Sequence, residues 1–493
     1  MLVSPHNELM ALGVPGTQRR RWVSLAVEKF GLGLVLSKEG VAVKQEECRK
    51  KDAFRILLVS PVDRAVLGQD FYFKFPHLSL PTLAAYTPDG AVVEVVDEKF
   101  HAFPDGRGYD LVGITSMTPL APKAYRIADA FRRQGVPVVM GGYHPTVLPE
   151  EALEHADSVC IGEAETIWSI IVADAMAGRL RERYQADAFP CLENLPKPRR
   201  DLLKIPRSRR FENINVYFLQ TTRGCPYRCS FCAVTSVLGG KLRHRPVAEV
   251  EAEIESLGIR RLEWGQKRDF FHNIIFFTDD NIVGHRSYSR ELLRMVSSFN
   301  LKWVGQASTN VADHEELLTL LRDSGCMGLA VGFETLSQKN IRDVGKGVNR
   351  TQEYLDRIRK IHSYGIGLAG NFIFGFDHDD ENTFQEVVDF VDTARLDGFY
   401  YSLLTPYPGT PFYDQMKAEG RILEADWSLY DTDHVVYRPR LMDAETLLKG
   451  YRWAWRRSLT YRSILTRLLG SRNQLIFFGP MNYGMRQTIL AHS

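Results

Sequence analysis

The sequence predicts an α/β protein made of two parallel sheets and a helical C-terminal extension. Short apolar runs alternate with helical segments over residues 54–177, which is typical of an open, doubly wound (Rossmann-like) sheet. The alternation returns over residues 216–404, with strand–helix units every 25 to 45 residues. Six such units predict a partial parallel (β/α)6 barrel. In both architectures the ligand site lies at the carboxyl ends of the strands.

Five strands are predicted in the first region, each a short apolar run rich in β-branched residues. They span residues 55–60, 91–96, 110–116, 136–140 and 157–161. The helical segments span residues 78–86, 125–134 and 163–177. No G-x-G-x-x-G motif follows the first strand, so a dinucleotide is not the expected ligand.

Six strands are predicted in the second region, at residues 216–219, 273–277, 303–307, 328–332, 370–374 and 400–404. The helices between them span residues 247–256, 289–298, 315–323, 352–363 and 381–393. Polar side chains follow the strands where chemistry is expected. The second, third and fourth strands are followed by Asp279 with Asp280, by Gln306 and by Glu334.

Composition changes along the chain predict the domain boundaries. An N-terminal arm of unknown role covers residues 1–52, the first sheet covers 53–180 and the barrel covers 214–420. Between the sheets, residues 181–213 are rich in arginine and proline without periodicity, which predicts a linker. Residues 421–493 form the C-terminal extension.

The overall composition is that of a globular protein with a large core, since 44% of the 493 residues are hydrophobic and 25% are charged. A formal net charge of +2 argues against a nucleic-acid partner. Seven cysteines without a disulfide framework predict a reducing cytoplasm. The sequence has no uncharged apolar run of about 18 residues and no clear signal peptide, so no membrane-spanning helix is expected.

The most informative stretch is Cys225-Pro-Tyr-Arg-Cys229-Ser-Phe-Cys232, directly after the first strand of the second region. Such a loop can turn three thiolates toward one point. A tetrahedral zinc site takes four protein ligands, and no fourth Cys or His lies at a usual offset. A 4Fe–4S cluster held by three thiolates instead leaves one iron open for a ligand that is not protein. A chance cluster or a degraded zinc knuckle is the alternative.

With Gly224 before the first cysteine and Phe231 before the last, this loop resembles that of the radical S-adenosylmethionine (SAM) enzymes. The resemblance implies that Cys225, Cys229 and Cys232 hold a 4Fe–4S cluster. In that family the open iron chelates the amino and carboxylate groups of SAM. The resemblance also implies that Phe231 packs near the adenine.

The same resemblance implies that Asp279, Asp280, Gln306 and Glu334 bind SAM from the strand ends. Acidic groups suit the SAM ammonium, and a carboxylate can accept hydrogen bonds from both ribose hydroxyls. The plain Gly-Gly-Glu motif of many members is missing here. For Asp279 and Asp280 the alternative is an N-cap of the following helix, where Asp is favoured.

The first region resembles the cobalamin-binding domains that precede many radical SAM cores. The resemblance rests on the strand-end loops Thr115-Ser-Met-Thr118 and Gly141-Gly-Tyr-His-Pro-Thr146 and on Gly162-Glu-Ala-Glu165. It implies cobalamin contacts from Ser116, Thr118, Gly141, Gly142 and His144. Paired glycines let backbone approach a bulky ligand. For His144 the alternative is a surface-loop histidine bonded to backbone.

Many cobalamin proteins carry D-x-H-x-x-G after the first strand, with the histidine as the lower ligand of cobalt. This sequence has Asp63-Arg-Ala-Val-Leu-Gly68, with Ala65 at the histidine position. The resemblance therefore implies that no histidine from this loop ligates cobalt.

Residues 54–420 thus resemble the cobalamin-dependent radical SAM enzymes. The resemblance implies a C-methyltransferase: a reduced cluster cleaves SAM, a 5′-deoxyadenosyl radical removes hydrogen from an unactivated carbon, and methylcobalamin delivers the methyl group. A cyclase or carbon–carbon coupling enzyme with the same cofactors, and a non-catalytic sensor, stay open. A methylthiotransferase is disfavoured because Cys48 and Cys160 do not supply a second set of three cluster cysteines.

The expected partners are a small-molecule or lipid substrate and a one-electron donor such as flavodoxin or ferredoxin. Residues 451–472 combine aromatic residues and arginines with no acid, which resembles the extension of family members that act on lipids and pigments. A basic aromatic helix can lie on an anionic membrane, here the inner membrane face. Packing against the protein's own barrel, with the arginines reaching water, is the favoured alternative.

Overall fold

The structure is a computed structural model. It describes residues 34–37, 40–43, 53–62, 78–101, 103, 108–203, 215–263, 265–266, 273–471 and 473–492. Within the arm, β1 (Leu34–Ser37) and β2 (Gly40–Val43) form an antiparallel hairpin. The arm is a compact unit by itself and residues 54–493 form a second unit. Asp63, Ala65 and Gly68 lie outside the described residues.

The first sheet has six parallel strands in the order β4-β3-β5-β6-β7-β8. They are β3 (Phe54–Ser60), β4 (Ala91–Asp97), β5 (Leu111–Thr115), β6 (Val138–Gly141), β7 (Ser158–Ile161) and β8 (Arg183–Gln185). The order reverses at β3, as in a doubly wound sheet. The predicted fold class is confirmed. The prediction of a linker from residue 181 missed β8, because three residues are too short to show a strand periodicity.

Helices cover both faces of this sheet, which explains why strands such as β3 are almost continuously apolar. They are α1 (Ser79–Ala85), α2 (Ala121–Arg132), α3 (Tyr143–Val147), α4 (Pro149–His155) and α5 (Trp168–Met176). The helices α3 and α4 were not predicted. They have five and seven residues and contain prolines near their starts, so no helical period is visible in the sequence.

The second sheet is a half-barrel of six parallel strands in the order β16-β15-β14-β13-β12-β9, as predicted. They are β9 (Asn215–Leu219), β12 (Asn273–Phe277), β13 (Lys302–Ala307), β14 (Cys326–Glu334), β15 (Gly367–Phe374) and β16 (Gly398–Leu403). A small antiparallel pair, β10 (Thr222–Arg223) and β11 (Arg243–His244), flanks the cysteine loop.

Most of the helices outside the half-barrel bury an apolar face against the strands, whereas α6 has no buried residue. They are α6 (Ala233–Leu238), α7 (Val247–Ser256), α8 (Arg286–Ser297), α9 (Glu315–Asp323), α10 (Gln338–Asp343), α11 (Tyr354–Ser363), α12 (Asn382–Thr393) and α13 (Pro411–Ala418). Short 3-10 turns lie at Thr118–Leu120, Arg200–Leu202, Thr309–Asp313, Thr351–Glu353 and Trp427–Leu429.

The C-terminal extension consists of α14 (Ala444–Ser458), α15 (Tyr461–Ser471) and α16 (Leu475–His492). Phe478 of α16 packs at the beginnings of the last three barrel strands, which carry glycine there. A Cβ atom added to Gly328 would lie 2.7 Å from the Phe478 ring, and one added to Gly367 would lie 2.2 Å from it. At Gly398 the added atom would lie 2.4 Å from Met481 Cε. The extension therefore packs on its own barrel, which was the favoured alternative.

The arginines of this extension do not all reach water, contrary to the prediction. Arg467 is fully buried and donates to Leu396 O and Asn482 Oδ1, both at 2.9 Å. Its guanidinium also lies 4.9 Å from the centre of the Phe399 ring. Burial lowers its pKa to about 10. Polar partners on neighbouring elements replace water, and these are not visible in a helical pattern.

Hydropathy along the described helices stays below the level of a bilayer-spanning segment.

Candidate active site

The cysteine loop leaves β9 through β10, and its first turn requires glycine. Gly224 has φ +84°, and a Cβ atom there would lie 2.6 Å from Lys241 O. The far side of the loop is tied down by the hydrogen bond from Ser230 N to Val344 O and by that from Phe412 N to Ser230 O, both 3.0 Å. The loop is therefore held on two sides before any cofactor binds.

The three predicted ligands, Cys225, Cys229 and Cys232, lie in this loop as free thiols that are partly or fully buried. Burial raises the pKa of all three, and that of Cys229 to about 12. Within the described part of the chain, no three His, Cys, Asp or Glu side chains converge on one metal ion. Three separate thiols suit a cube in which each binds a different iron.

Phe231 was expected near the adenine of SAM. Its ring lies 6.1 Å from that of Phe376 at an interplanar angle of 69°, and it packs against the apolar cluster around α13. The side chain therefore anchors the cysteine loop to the segment that follows β15. Its contact with the adenine stays a prediction.

Asp279 is fully buried and joins the end of β12 to the start of the cysteine loop. Its carboxylate accepts hydrogen bonds from Thr221 N at 3.1 Å, Thr221 Oγ1 at 2.7 Å and Thr222 Oγ1 at 2.6 Å. The N-cap alternative is wrong, because α8 begins at Arg286 and is capped by His285. With all of its surface covered, the carboxylate orients the loop, and its contact with SAM stays a prediction.

Asp280 is the neighbouring carboxylate, and it is only partly covered. Burial, followed by the negative charge of Asp279, raises its pKa to about 6. Its charge also contributes, after burial, to the raised pKa values of Cys225 and Cys232, so it faces the cysteine loop. A cation bound here would restore its full charge. Asp280 is thus the better placed of the two for an ammonium group.

Gln306 lies on β13 and is exposed at the open end of the half-barrel. Its backbone carbonyl accepts from Ile282 N at 2.9 Å, which ties the ends of β12 and β13 together. The amide side chain is therefore free to meet a ligand on a backbone held in place.

Glu334 is buried, has φ +65° and pairs with Lys346, which sequence reasoning missed. Lys346 also donates to Gly332 O at 3.0 Å. Burial by itself would lower the pKa of Lys346. The Glu334 carboxylate has the larger effect and raises this pKa above its ordinary value, and Cys229 and Cys232 raise it further. The pair thus places a positive charge beside the cluster thiols. The sequence offers only one indication of this lysine's role, its position between Gly345 and Gly347.

A cavity of about 460 Å³ lies between the first sheet and the cysteine loop. Its walls from the first sheet include Thr115, Gly141, Gly142 and Gly162, and those from the second include Gln220, Arg223, Ala233 and Val237. The volume is in the range of ligand pockets. A Cβ atom added to Gly162 would meet nothing within 4 Å, so the loop stays open to a bulky group. The residues present fit part of a cobalamin placed at these strand ends.

Gly142 is required by packing as well as by the cavity. It has φ +94°, and a Cβ atom would lie 2.7 Å from Thr115 Oγ1 and 2.8 Å from Ser116 O. The backbone of Gly142 therefore lies directly against Thr115 Oγ1 and the backbone of Ser116, and this close approach forms the floor of the cavity.

Ser116, Thr118 and His144 lie beneath this floor and are each at most 2% exposed. His144 Nδ1 is 3.3 Å from Thr118 Oγ1, and its Nε2 is 3.4 Å from Glu151 Oε1. Glu151 also accepts from Trp427 Nε1 at 2.9 Å. The surface-loop alternative for His144 is wrong. All three side chains are buried and do not line the cavity, and their contacts with cobalamin stay a prediction.

Buried ion pairs fasten the first sheet to the cysteine loop. Glu163 pairs with both Arg223 and Arg243, and Glu165 pairs with Arg223. The side chains of Arg223 and Glu163 are 10% and 5% exposed. Arg223 is two residues before Cys225, so these pairs couple the cavity to the cluster loop. Sequence reasoning missed both arginines because their partners lie at least 58 residues earlier in the chain.

A row of tyrosines continues from the first sheet across the strand ends of the barrel. Tyr143 donates to Pro408 O at 2.7 Å, and its ring centre lies 6.2 Å from that of Tyr407. Burial, and then the charge of Cys232, raise its pKa, so it faces the cysteine loop. Tyr400 of β16 is the last tyrosine of the row. Near it, Asp433 accepts a hydrogen bond from the hydroxyl of Tyr451. Burial raises the pKa of Asp433 to about 6.

Two family models match the chain over the regions just described. The model of the radical SAM superfamily matches residues 219–391, and that of the B12 binding domain matches residues 66–172. The first match contains the cysteine loop and four of the six barrel strands, β12 to β15. The second contains every strand-end loop that lines the cavity from the first sheet.

Two curated relatives come from Chlorobaculum tepidum. Its bacteriochlorophyllide d C-12(1)-methyltransferase is 32% identical over 449 residues, which cover 90% of this chain and 95% of that protein. Its bacteriochlorophyllide d C-8(2)-methyltransferase is 31% identical, with coverages of 81% and 89%. Among solved structures, the radical SAM methyltransferase TsrM of Kitasatospora setae superposes with a TM-score of 0.61 at 20% identity, with coverages of 74% and 76%.

The chain therefore belongs to the cobalamin-dependent radical SAM enzymes. Its reaction is the transfer of a methyl group to carbon, and its cofactors are a 4Fe–4S cluster, SAM and cobalamin. The cyclase and sensor hypotheses have no comparable support.

Proposed function

We propose that the carbon methylated by this enzyme belongs to a substituent of a tetrapyrrole macrocycle. The observation that carries the proposal is the tyrosine row, Tyr143, Tyr407 and Tyr400, beside the cysteine loop. The rings of Tyr143 and Tyr407 are set edge to face, and such aromatic side chains offer a large apolar contact area to a conjugated ring. The similarity to two bacteriochlorophyllide methyltransferases over most of their lengths supports the same substrate class. The carboxyl groups of Asp431 and Asp433 beside the row disfavour a purely hydrocarbon lipid.

Different residues would bind the cluster and SAM. Cys225, Cys229 and Cys232 hold the cluster, while Asp280 and Gln306 reach the ammonium and hydroxyl groups of SAM. When bound, the cofactors supply the radical chemistry and the methyl group. The protein positions these groups and keeps water from the reacting carbon.

Asp279 and Glu334, which were also predicted to bind SAM, would support the site through other residues. Asp279 holds the start of the cysteine loop through Thr221 and Thr222. Glu334 orients Lys346 beside the cysteines. On the cobalamin side, Gly141 and Gly142 offer backbone to the cofactor, and Ser116, Thr118 and His144 hold that backbone in place.

The test uses protein reconstituted without oxygen, methyl-labelled SAM and a magnesium tetrapyrrole with an unmethylated side chain. Label in the product supports the proposal. A product of changed mass without label points to the cyclase, and no release of 5′-deoxyadenosine points to the sensor. Cys229→Ala should abolish activity, whereas the matched control Cys191→Ala, at an exposed free cysteine, should keep it.

The electron donor is proposed to be an acidic carrier such as flavodoxin or ferredoxin that docks beside the cysteine loop. Three exposed basic residues lie there, Arg228, Lys241 and Arg286. Complementary charge raises association rates and makes them salt-dependent. Arg228→Glu should slow reduction by flavodoxin and weaken its salt dependence, with reduction by dithionite unchanged. Equal rates with flavodoxin for both proteins would exclude this docking site.

Peripheral contact with an anionic membrane is proposed for the outer face of α15. Tyr461, Leu465 and Leu469 repeat every four residues there and are 57%, 55% and 60% exposed. No acidic residue follows Glu445, so the face suits an anionic bilayer. Flotation with phosphatidylglycerol vesicles, but not with phosphatidylcholine vesicles, is expected. Leu465→Ser together with Leu469→Ser should abolish flotation, and its persistence in that variant would refute the proposal.

A further inference from the structure

A tight turn after the barrel is organised around the buried carboxylate of Asp431. This carboxylate accepts from the backbone N–H of Asp433 at 2.9 Å and from that of His434 at 3.1 Å. Thr432, between Asp431 and Asp433, takes φ +72°, a backbone conformation that residues other than glycine rarely adopt. Thr432 O accepts from Leu403 N at 2.7 Å, so the turn is fastened to the end of β16. It therefore lies at the strand-end edge, where the chemistry of the half-barrel takes place.

The same carboxylate fixes the ring of His434. Its two oxygens both lie 3.0 Å from Nδ1. The side chain of Asp431 is 1% exposed, whereas that of His434 is 42% exposed. Among the described residues, Nε2 of His434 has no hydrogen-bond partner. A histidine whose Nδ1 is held by a carboxylate and whose Nε2 is unpaired has the arrangement of a metal ligand.

The surroundings of this turn belong to the substrate side of the site. Burial, and then the charges of Asp433 and Asp431, raise the pKa of Tyr400. Burial also raises the pKa of Tyr407, and the charges of Asp431, Asp433 and Tyr143 raise it further. Thr432 of the turn is bonded to Leu403, three residues after Tyr400 on β16, so the turn lies beside the end of the tyrosine row.

We infer that His434 Nε2 is the axial ligand of the central metal ion of a tetrapyrrole substrate, with Asp431 as its positioning residue. This inference rests on the proposed function. A magnesium ion inside a macrocycle already has four nitrogen ligands and needs only one more from the protein. Axial ligation at the edge of β16 would fix the plane of the ring and direct one side of its periphery toward the cysteine loop.

The test compares a zinc tetrapyrrole with its metal-free counterpart, titrated into the reconstituted holoenzyme and followed by absorption and fluorescence. Zinc stays in the ring and takes one axial nitrogen. The wild-type enzyme should bind the zinc form about tenfold or more tightly than the metal-free form. His434→Ala should bind both forms equally, with an unchanged affinity for the metal-free form. Imidazole added to His434→Gly should restore the five-coordinate spectrum.

The matched control is His155→Ala. His155 Nδ1 also lies 3.1 Å from both carboxylate oxygens of an aspartate, Asp129, and its side chain is 30% exposed, but it belongs to α4 of the first sheet. This variant should keep the preference for zinc. If His434→Ala keeps it too, or imidazole restores nothing, the axial ligand is not His434. If the wild-type enzyme methylates tetrapyrroles but binds both forms equally, only this inference fails. If it neither binds nor methylates them, the proposed function fails as well.

Discussion

Replacing Asp279 or Asp280 by alanine separates a residue that holds the cysteine loop from one that meets SAM. The two carboxylates are adjacent in sequence, and the family resemblance implies the same role for both. In the structure Asp279 is fully buried and accepts from Thr221 N, Thr221 Oγ1 and Thr222 Oγ1. Asp280 is partly open toward the cysteines.

The expected loss of unfolding free energy in the Asp279→Ala variant follows from the three hydrogen-bond donors that it leaves unpaired. Each unsatisfied buried donor costs about 1–3 kcal/mol. Burial of the carboxylate is itself unfavourable, as its raised pKa indicates, so removing it offsets part of the loss. We expect a net destabilisation of about 3–5 kcal/mol, which for a unit of this size lowers the melting temperature by roughly 3–5 °C. Asp280→Ala should change stability by less than about 1 kcal/mol.

The assays are thermal unfolding of the anaerobic protein, its iron content after reconstitution, and SAM binding by calorimetry. Asp279→Ala should melt earlier and retain less iron, because Thr221 and Thr222 lead into the cysteine loop. Asp280→Ala should keep its iron and lose SAM affinity about tenfold, the equivalent of one charge-assisted hydrogen bond. If Asp279→Ala keeps its stability and iron but loses SAM affinity, the buried role assigned to Asp279 is wrong.

Three further outcomes are expected from the structure. Burial raises the pKa of Asp433 to about 6 from 3.8, so between these values the folded protein keeps a proton that the unfolded chain has released. Stability therefore falls as the pH rises from about 4 to about 7, and Asp433→Asn should flatten this decline, measured by urea midpoints at several pH values. Glu163→Gln removes the shared partner of two buried arginines and should cost about 3 kcal/mol and reduce iron retention. The exposed pair control, Glu251→Gln, should cost less than about 1 kcal/mol in the same thermal assay. Phe478→Ala leaves a cavity at the barrel strand starts and should cost about 3–5 kcal/mol in chemical unfolding, and an unchanged midpoint would show that the extension does not stabilise the barrel.

Most of the architecture could be predicted because each strand carries its own signal. Apolar runs such as those of β3 and β12 are buried on both faces, and both were predicted to within one residue. The elements that were missed are short. The strand β8 and the helix α3 have three and five residues, too few to show a period, and are stabilised by pairing and packing with distant segments.

The candidate site was only partly predictable, because burial decides which polar residues meet a ligand. A carboxylate after a parallel strand points toward the ligand edge whether or not it is covered. Asp279 and His144 were predicted to bind cofactors, and the structure shows both fully buried and bonded to neighbouring loops. Lys346 and Arg223 went unnoticed, because a basic residue in a loop normally suggests water, and only the folded chain brings Glu334 and Glu163 to them.

By itself, the sequence determined the cofactor set and the order of the two sheets, since thiolate spacing, paired glycines and strand periodicity are local properties of the chain. Only the tertiary structure decided which side chains face the reaction and which hold the loops. That distinction depends on burial and on partners far away in the chain. The Asp431–His434 turn illustrates this, because its four residues show no motif until the end of β16 places them beside the tyrosine row.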